Sequence, residues 1–481
     1  MKKLSKILRG LIYILPAVLF FSYYPIIRLG SNEAMNFELS LSLIWLVVFD
    51  LVAGVAWLIK KDFSVLKKGW WLSLLPIFVT LSLIWTENLM RGVLTVGVMW
   101  LIVFAVYAVF ALHENLRGRG SFAKIFMKMF LGSALVISVW CVIQCVLDVM
   151  GVGREYTLLC QGCTYRTFGF PHPNGFAIEP QFMGNLLLAP TLVAMGMLMG
   201  FDEKKERRNF WMLLVIGIAL CSALFLTFSR GAIYALVVAL IFMSAAFLMQ
   251  IDKNKKIAKR IGLIWGMVIL SFGFTLNLQG VLSVMSPTND TYFSGVAKVL
   301  NHLSLGIIDV RGNVEVEAVE EESENVAVFD GYVAESTNVR MELTKNAIEV
   351  WKQDFGTMMF GVGIGGAGQA MYDANLTGTP KEIVQNEYAS LLLEVGIIGV
   401  LLLIVTLILM IKISTLNLTS SKRILTGAKK SSIKNPMNIT ILSLTVGYGV
   451  SLLFFSGLAN ALQIYLLPPI LYTVFLKKLV S

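Results

Sequence analysis

Long apolar blocks separated by short polar breaks run along almost the whole chain. A block of about 20 apolar residues crosses a bilayer as one helix. The pattern predicts about twelve spans, near residues 10–30, 39–59, 69–87, 92–112, 125–150, 175–200, 209–228, 231–250, 261–280, 388–411, 437–457 and 460–476. Two polar segments exceed hairpin length, 151–174 and 281–387. The organisation expected is therefore a first set of spans over 1–280, one large loop over 281–387, and a second set over 388–481. The opening "MKKLSKILRGLIYILPAVLFFSYYPII" begins as a signal peptide does, but its apolar part is long and no small-residue cleavage site is evident. It is expected to be the first span.

Composition excludes a soluble class: 57% of residues are hydrophobic and 15% charged, where a soluble domain carries roughly 25% charged residues. The net charge of +10 raises the question of nucleic acid, and its placement answers it. With the N-terminus inside, every basic cluster falls on the cytoplasmic side, among them Lys60/Lys61/Lys67/Lys68, Lys204/Lys205/Arg207/Arg208 and Lys422/Arg423/Lys429/Lys430/Lys434. That is the positive-inside distribution. It places both termini in the cytoplasm, faces the large loop outward, and accounts for the charge with no nucleic acid. The acidic run "VEVEAVEEESENVAVFD" in that loop reads as a solvated stretch. An acidic Ca²⁺ site is the alternative, with spacing that matches no motif.

Cys141, Cys145 and Cys221 lie inside apolar blocks and read as packing residues. Cys160 and Cys163, in "CQGC", form either a small disulfide ring or two free thiols.

Three arginines remain outside the cytoplasmic clusters in distinctive contexts. Arg230, with Ser229, lies in "LTFSRGAIYAL", the single polar break in the run 209–250. A charge held at a membrane boundary is costly and usually functional; snorkelling to the interface is the alternative. Arg166 lies in "CTYRTFGFPHPNGFAIEPQF", followed by His172, Asn174 and Glu179, the last expected one turn into a span. A structural Glu179–arginine pair is the competing reading. Arg340 lies in "ESTNVRMELTKNAIEVWKQ", where Ser336 or Thr337 is expected to cap a helix and leave Arg340 in its first turn. A cation is disfavoured there unless an anion joins it; an exposed arginine is the plainer reading. Arginine forks suit phosphate oxygens.

In "TPKEIVQNEYASLLLEVGIIGV", Thr379–Pro380–Lys381–Glu382 reads as a capping box, so a helix is expected to begin before the membrane. Asn386, Glu387, Ser390 and Glu394 then share one face, which is expected to line a cavity, with packing against polar neighbours as the alternative. Gly396 and Gly399 face the other way and permit a close helix contact, with Gln385 and Tyr388 nearer that side.

"QNEYASLLLEVGIIG" resembles the C-terminal signature of the O-antigen ligase/polymerase family of membrane glycosyltransferases. That signature is a His followed by Asn, Ser or Gln, then nine residues, then Gly-x-x-Gly; here Gln385 and Asn386 precede nine residues, Gly396 and Gly399. "SRGA" after a span, "RTFGFPHPN" before a span, and "R…W…FGVGIGG" ahead of the signature are also typical. The resemblance implies an all-α polytopic fold of GT-C-like architecture in the bacterial cytoplasmic membrane, with its active site on the extracytoplasmic side. It implies transfer or polymerisation of an oligosaccharide carried on undecaprenyl pyrophosphate to a glycan or lipid acceptor, with no metal, cofactor or nucleotide-sugar. Membrane lipid and other polysaccharide-assembly proteins are the implied company. By motif, Arg230, Arg340 and Arg166 would hold the pyrophosphate, and His172, Asn174, Glu179, Ser229, Asn386 and Tyr388 would line the substrate site. Gln385 replaces the family His. An amide is no base near neutral pH, so either Glu387, Glu179 or His172 supplies the base or the good leaving group makes little base catalysis necessary, and a polymerase is favoured over a ligase. A lipid-linked oligosaccharide transporter and a non-enzymatic scaffold are the competing classes.

Overall fold

The computed structural model describes residues 2–20, 25–29, 37–112, 116, 122–152, 163–165, 169–177, 179–200, 206–249, 255–286, 291–304, 329–420, 436–455 and 462–475. Among them, eight helices are long and apolar enough to cross a membrane: Leu41–Lys60, Leu89–Ala111, Phe122–Val149, Pro180–Gly200, Arg207–Leu226, Arg230–Leu248, Ile257–Met285 and Glu387–Thr406. The other four predicted positions hold Lys2–Phe20, the interrupted segment Trp70–Ile84, Pro436–Ser451 and Leu462–Phe475, which are shorter or more charged. The first helix ends at Phe20, before the predicted residue 30. Past it, Pro25–Leu29 pairs antiparallel with Phe37–Ser40, the one sheet among the described residues. Pro25 has no N–H for a helical bond and disfavours helix in the residue before it, which suits it to the start of an extended segment.

The Pro180–Gly200 helix is the centre of the bundle, with 94% of its apolar window buried. A helix that is apolar all round belongs inside. Two glycines let neighbours reach its backbone: Gly184 faces Ala232, Thr227 and Ser229, and Gly196 faces Thr440. Small residues at such contacts are the usual device of membrane helices. The Arg230–Leu248 and Pro436–Ser451 helices pack on each other and on this centre.

Among the described residues, the large loop holds the helices Tyr292–Leu303, Phe329–Trp351, Phe355–Phe360 and Ala367–Asp373. Two expected helix starts move. The Arg340 helix already runs at Phe329, so Ser336 and Thr337 lie in its interior and Arg340 at its middle. The signature helix starts at Glu387, because Thr379 turns its hydroxyl to Lys381 N, 3.3 Å away. That two-residue reach makes a local turn and spends the side chain that a capping box needs. Asn386 is the cap instead, its Oδ1 accepting from Tyr388 N at 3.1 Å and Ala389 N at 3.2 Å.

The signature helix breaks at Gly396, with φ 63° and ψ −170°. Gly361, with φ 74°, lies against the Glu394 carbonyl, while Gly396 lies against that of Met359. Backbone joins backbone here: Val362 N donates to Leu393 O at 2.9 Å and Gly363 N to Glu394 O at 3.0 Å. The "GVGIGG" loop is thereby seated on the break. Gly396 is therefore a kink at which the signature helix meets the backbone of the short helix Phe355–Phe360, a close helix contact of the kind expected from its glycines.

Candidate active site

Arg230 is the first residue of its helix, with Ser229 as the cap, Oγ accepting from Ala232 N at 3.4 Å. Ser229 thus has a structural task. A cation at this position opposes the helix dipole, so of these two arginines the one in a first turn is Arg230 and not Arg340. Phe228, just before the cap, has φ 47°, a left-handed conformation rare outside glycine. Gly231 brings Phe454 against the start of the helix.

Arg230 and Arg340, 110 positions apart, come close enough for their charges to repel. Arg340 donates from Nη2 to Gln181 Oε1 at 3.4 Å, and Gln181 Nε2 donates to Glu179 Oε2 at 2.8 Å. Glu179 is exposed and immediately precedes the Pro180 helix, a turn earlier than expected. It therefore stands at the mouth of the helix, not inside the span. Gln181 was not evident from the sequence, since a lone glutamine after proline carries no pattern.

His172 is buried, 5% exposed, in a ring cluster. Its ring lies 4.7 Å from that of Phe170, 5.3 Å from Phe228 and 5.2 Å from His302. Burial, with His302 and Arg230 adding, lowers its pKa well below the usual histidine range. Asn174 is 1% exposed, donates to Ala177 O at 2.5 Å and accepts from Gln144 Nε2 at 3.2 Å. Gln144 also exchanges both hydrogen bonds with the Gly175 backbone. These contacts bury His172 and Asn174 in the packed wall. Arg166 and Cys160 lie outside the described residues. Cys163 is disulfide-bonded, and Cys141, Cys145 and Cys221 are buried free thiols.

At the head of the signature helix, Gln385 Oε1 is buried with no hydrogen-bond partner among the described residues. Glu387 is 6% exposed and accepts from the Tyr465 hydroxyl at 3.4 Å. The Tyr388 hydroxyl donates to Gly449 O at 2.7 Å, and Glu387 N to Leu452 O at 2.9 Å. The turn 449–455 is thus a shared wall: one side holds the signature helix, and the other packs Phe454 on Gly231 and Phe455 on Phe182. Glu394 is buried and accepts from the backbone N–H groups of Gly365 and Ala367, with Arg91 nearby. The polar face expected to line a cavity instead grips the "GVGIGG" loop at this depth.

Eight helices long and apolar enough to cross a membrane, one of them polar-headed and broken at Gly396, define a multi-pass membrane protein. Residues 212–404 match the family model described as O-Antigen ligase, which supports membership of the O-antigen ligase/polymerase family. The match contains Arg230, Arg340 and the signature helix through its break; Glu179 and His172 precede it. No curated protein matches the chain.

Proposed function

We propose that the protein is a glycosyltransferase of the outer leaflet that polymerises undecaprenyl-pyrophosphate-linked oligosaccharide, without metal or cofactor. The observation that carries this reading is the convergence of Arg230 and Arg340 at the loop end of the bundle. Two cations held together from distant segments call for a multiply charged anion, and a pyrophosphate supplies it.

The chemistry follows from the neighbours. The acceptor sugar hydroxyl attacks the anomeric carbon of the donor, forming a C–O bond as the bond to the pyrophosphate oxygen breaks. The electron pair leaves with the pyrophosphate, where the guanidinium groups stabilise it. The hydroxyl proton passes to Glu179, the exposed carboxylate tied to Arg340 through Gln181. Glu387 is sealed against Tyr465, and His172 lies within the ring cluster, so Glu179 suits the role of base better. Gln385 Oε1 is available to accept a hydrogen bond from a sugar hydroxyl. Polymerase is favoured over ligase because the amide replaces the family His and positions, without deprotonating, the acceptor.

The test is purified protein in liposomes with the host's undecaprenyl-pyrophosphate oligosaccharide and no nucleotide-sugar. A ladder of longer lipid-linked chains supports polymerisation. Transfer only to a second added acceptor replaces polymerase with ligase. No transfer with verified substrate and folded protein rejects the enzyme.

A further inference from the structure

The Arg230 turn is held by a residue from the large loop. Phe228 occupies a left-handed conformation that costs a bulky residue about 1–3 kcal/mol and persists only where its surroundings impose it. Those surroundings are specific. The Phe228 ring meets Phe170 edge-on at 5.1 Å, and both are sealed under the helix Tyr292–Leu303, where Val299 is fully buried. From the same helix, His302 places Nε2 at 3.3 Å from the Phe228 carbonyl oxygen. A carbonyl only accepts, so Nε2 carries the proton in this bond. The His302 ring also stacks edge-on against Phe170 at 5.6 Å and His172 at 5.2 Å. The helix that carries it is fixed in turn: Gly295 lies against Ser283, and the Tyr292 hydroxyl donates to Asn277 Oδ1 at 2.7 Å.

We propose that His302 is a positioning residue for Arg230: its neutral imidazole clamps the Phe228 carbonyl, fixes the turn two residues ahead of the arginine, and so aims the guanidinium at the pyrophosphate of the donor. The inference rests on the reading that Arg230 holds that pyrophosphate. An uncharged donor suits the place, because a second full cation beside Arg230 would push against it.

Two substitutions separate the hydrogen bond from the ring. His302→Phe keeps an aromatic ring and loses the donor. His302→Gln loses the ring and keeps an N–H at the reach of Nε2. Each is reconstituted in liposomes, checked for melting temperature, and assayed for initial rate against donor concentration. Binding of undecaprenyl pyrophosphate alone is measured in parallel. The expected result is that His302→Phe raises the half-saturating donor concentration and weakens undecaprenyl-pyrophosphate binding by about tenfold, with a smaller change in maximal rate. His302→Gln stays within about threefold of wild type. In an Arg230→Lys background, His302→Phe adds little, since its effect passes through the arginine. The inference is overturned if His302→Phe binds and turns over like wild type, if both variants lose function equally, or if the His302 and Arg230 effects simply add. A wild-type protein that neither binds undecaprenyl pyrophosphate nor uses the donor overturns the functional reading, and this inference with it.

Discussion

Arg230 sits where helix geometry alone would not put a cation, and a second arginine lies close enough to repel it. Such a pair is stable when an anion completes it. Arg230→Ala and Arg340→Ala are each expected to lower transfer by about 100-fold or more, the scale of losing one transition-state charge contact. Protein level and melting temperature should stay near wild type; normal turnover in both variants would remove the arginines from the mechanism. Glu179→Gln should reduce maximal rate while leaving donor binding within a few-fold, since Gln181 still holds Arg340. A fall in donor affinity alone would make Glu179 a binding group. The two imidazoles predict a pH effect. Burial lowers the His302 pKa to about 4, with Arg230 adding to the shift and the Phe228 carbonyl opposing it. An unfolded histidine titrates near 6.5. Between about 6.5 and about 4 the unfolded chain therefore binds more protons than the folded protein, so stability is full above that window and falls as pH drops through it. Melting temperature should decline from pH 7 to pH 5, and less steeply in His302→Gln.

At the scale of elements, the signature segment is a broken span locked to a loop. Gly396 and Gly361 meet the backbone of the opposite segment, and both have positive φ. Gly396→Ala is expected to cost about 1–3 kcal/mol, from strained backbone and a displaced loop. It should lower the melting temperature and abolish transfer together. Gly262→Ala is the matched control, a glycine with open space around it within the helix Lys255–Met285, and should be neutral or slightly stabilising. Equal effects of the two would mean that the joint is not tight. Glu394→Gln keeps the shape of the side chain and removes the charge facing Arg91. Proteolysis of the segment 361–386 should then be faster than in wild type; identical cleavage would reduce Glu394 to a passive filler.

For the whole molecule, the charge pattern makes a sidedness prediction. With the five native cysteines replaced, a cysteine at Lys381 should react with an impermeant thiol reagent on intact cells. One at Lys204 should react only after the membrane is opened. The reverse labelling would invert the topology and place the arginine site in the cytoplasm. The central Pro180–Gly200 helix offers the packing test: Gly196→Leu meets Thr440 and should reduce the yield of folded protein, since a tight helix contact has no room to relax.

The sequence by itself determined the membrane class, the positions of the long spans, and the arginines and signature worth watching. These are properties of local composition, spacing and motif, and they need no knowledge of what lies alongside. The apolar blocks at 41–60, 89–111 and 207–248 became helices because length and hydropathy suffice for that in lipid. Tertiary structure decided the rest. Nothing local says that Arg230 meets Arg340, that Gln181 ties Arg340 to Glu179, or that His302, one of three histidines in the chain, clamps the turn at Phe228. It also moved the start of the signature helix from Pro380 to Glu387, because one hydroxyl chose a local turn and the Asn386 amide took the cap. Glu394 read as a cavity-lining carboxylate and proved to hold a loop, since a buried charge takes whichever N–H groups the fold brings to it. Pairings across long stretches of chain are set by packing, and only the folded molecule contains them.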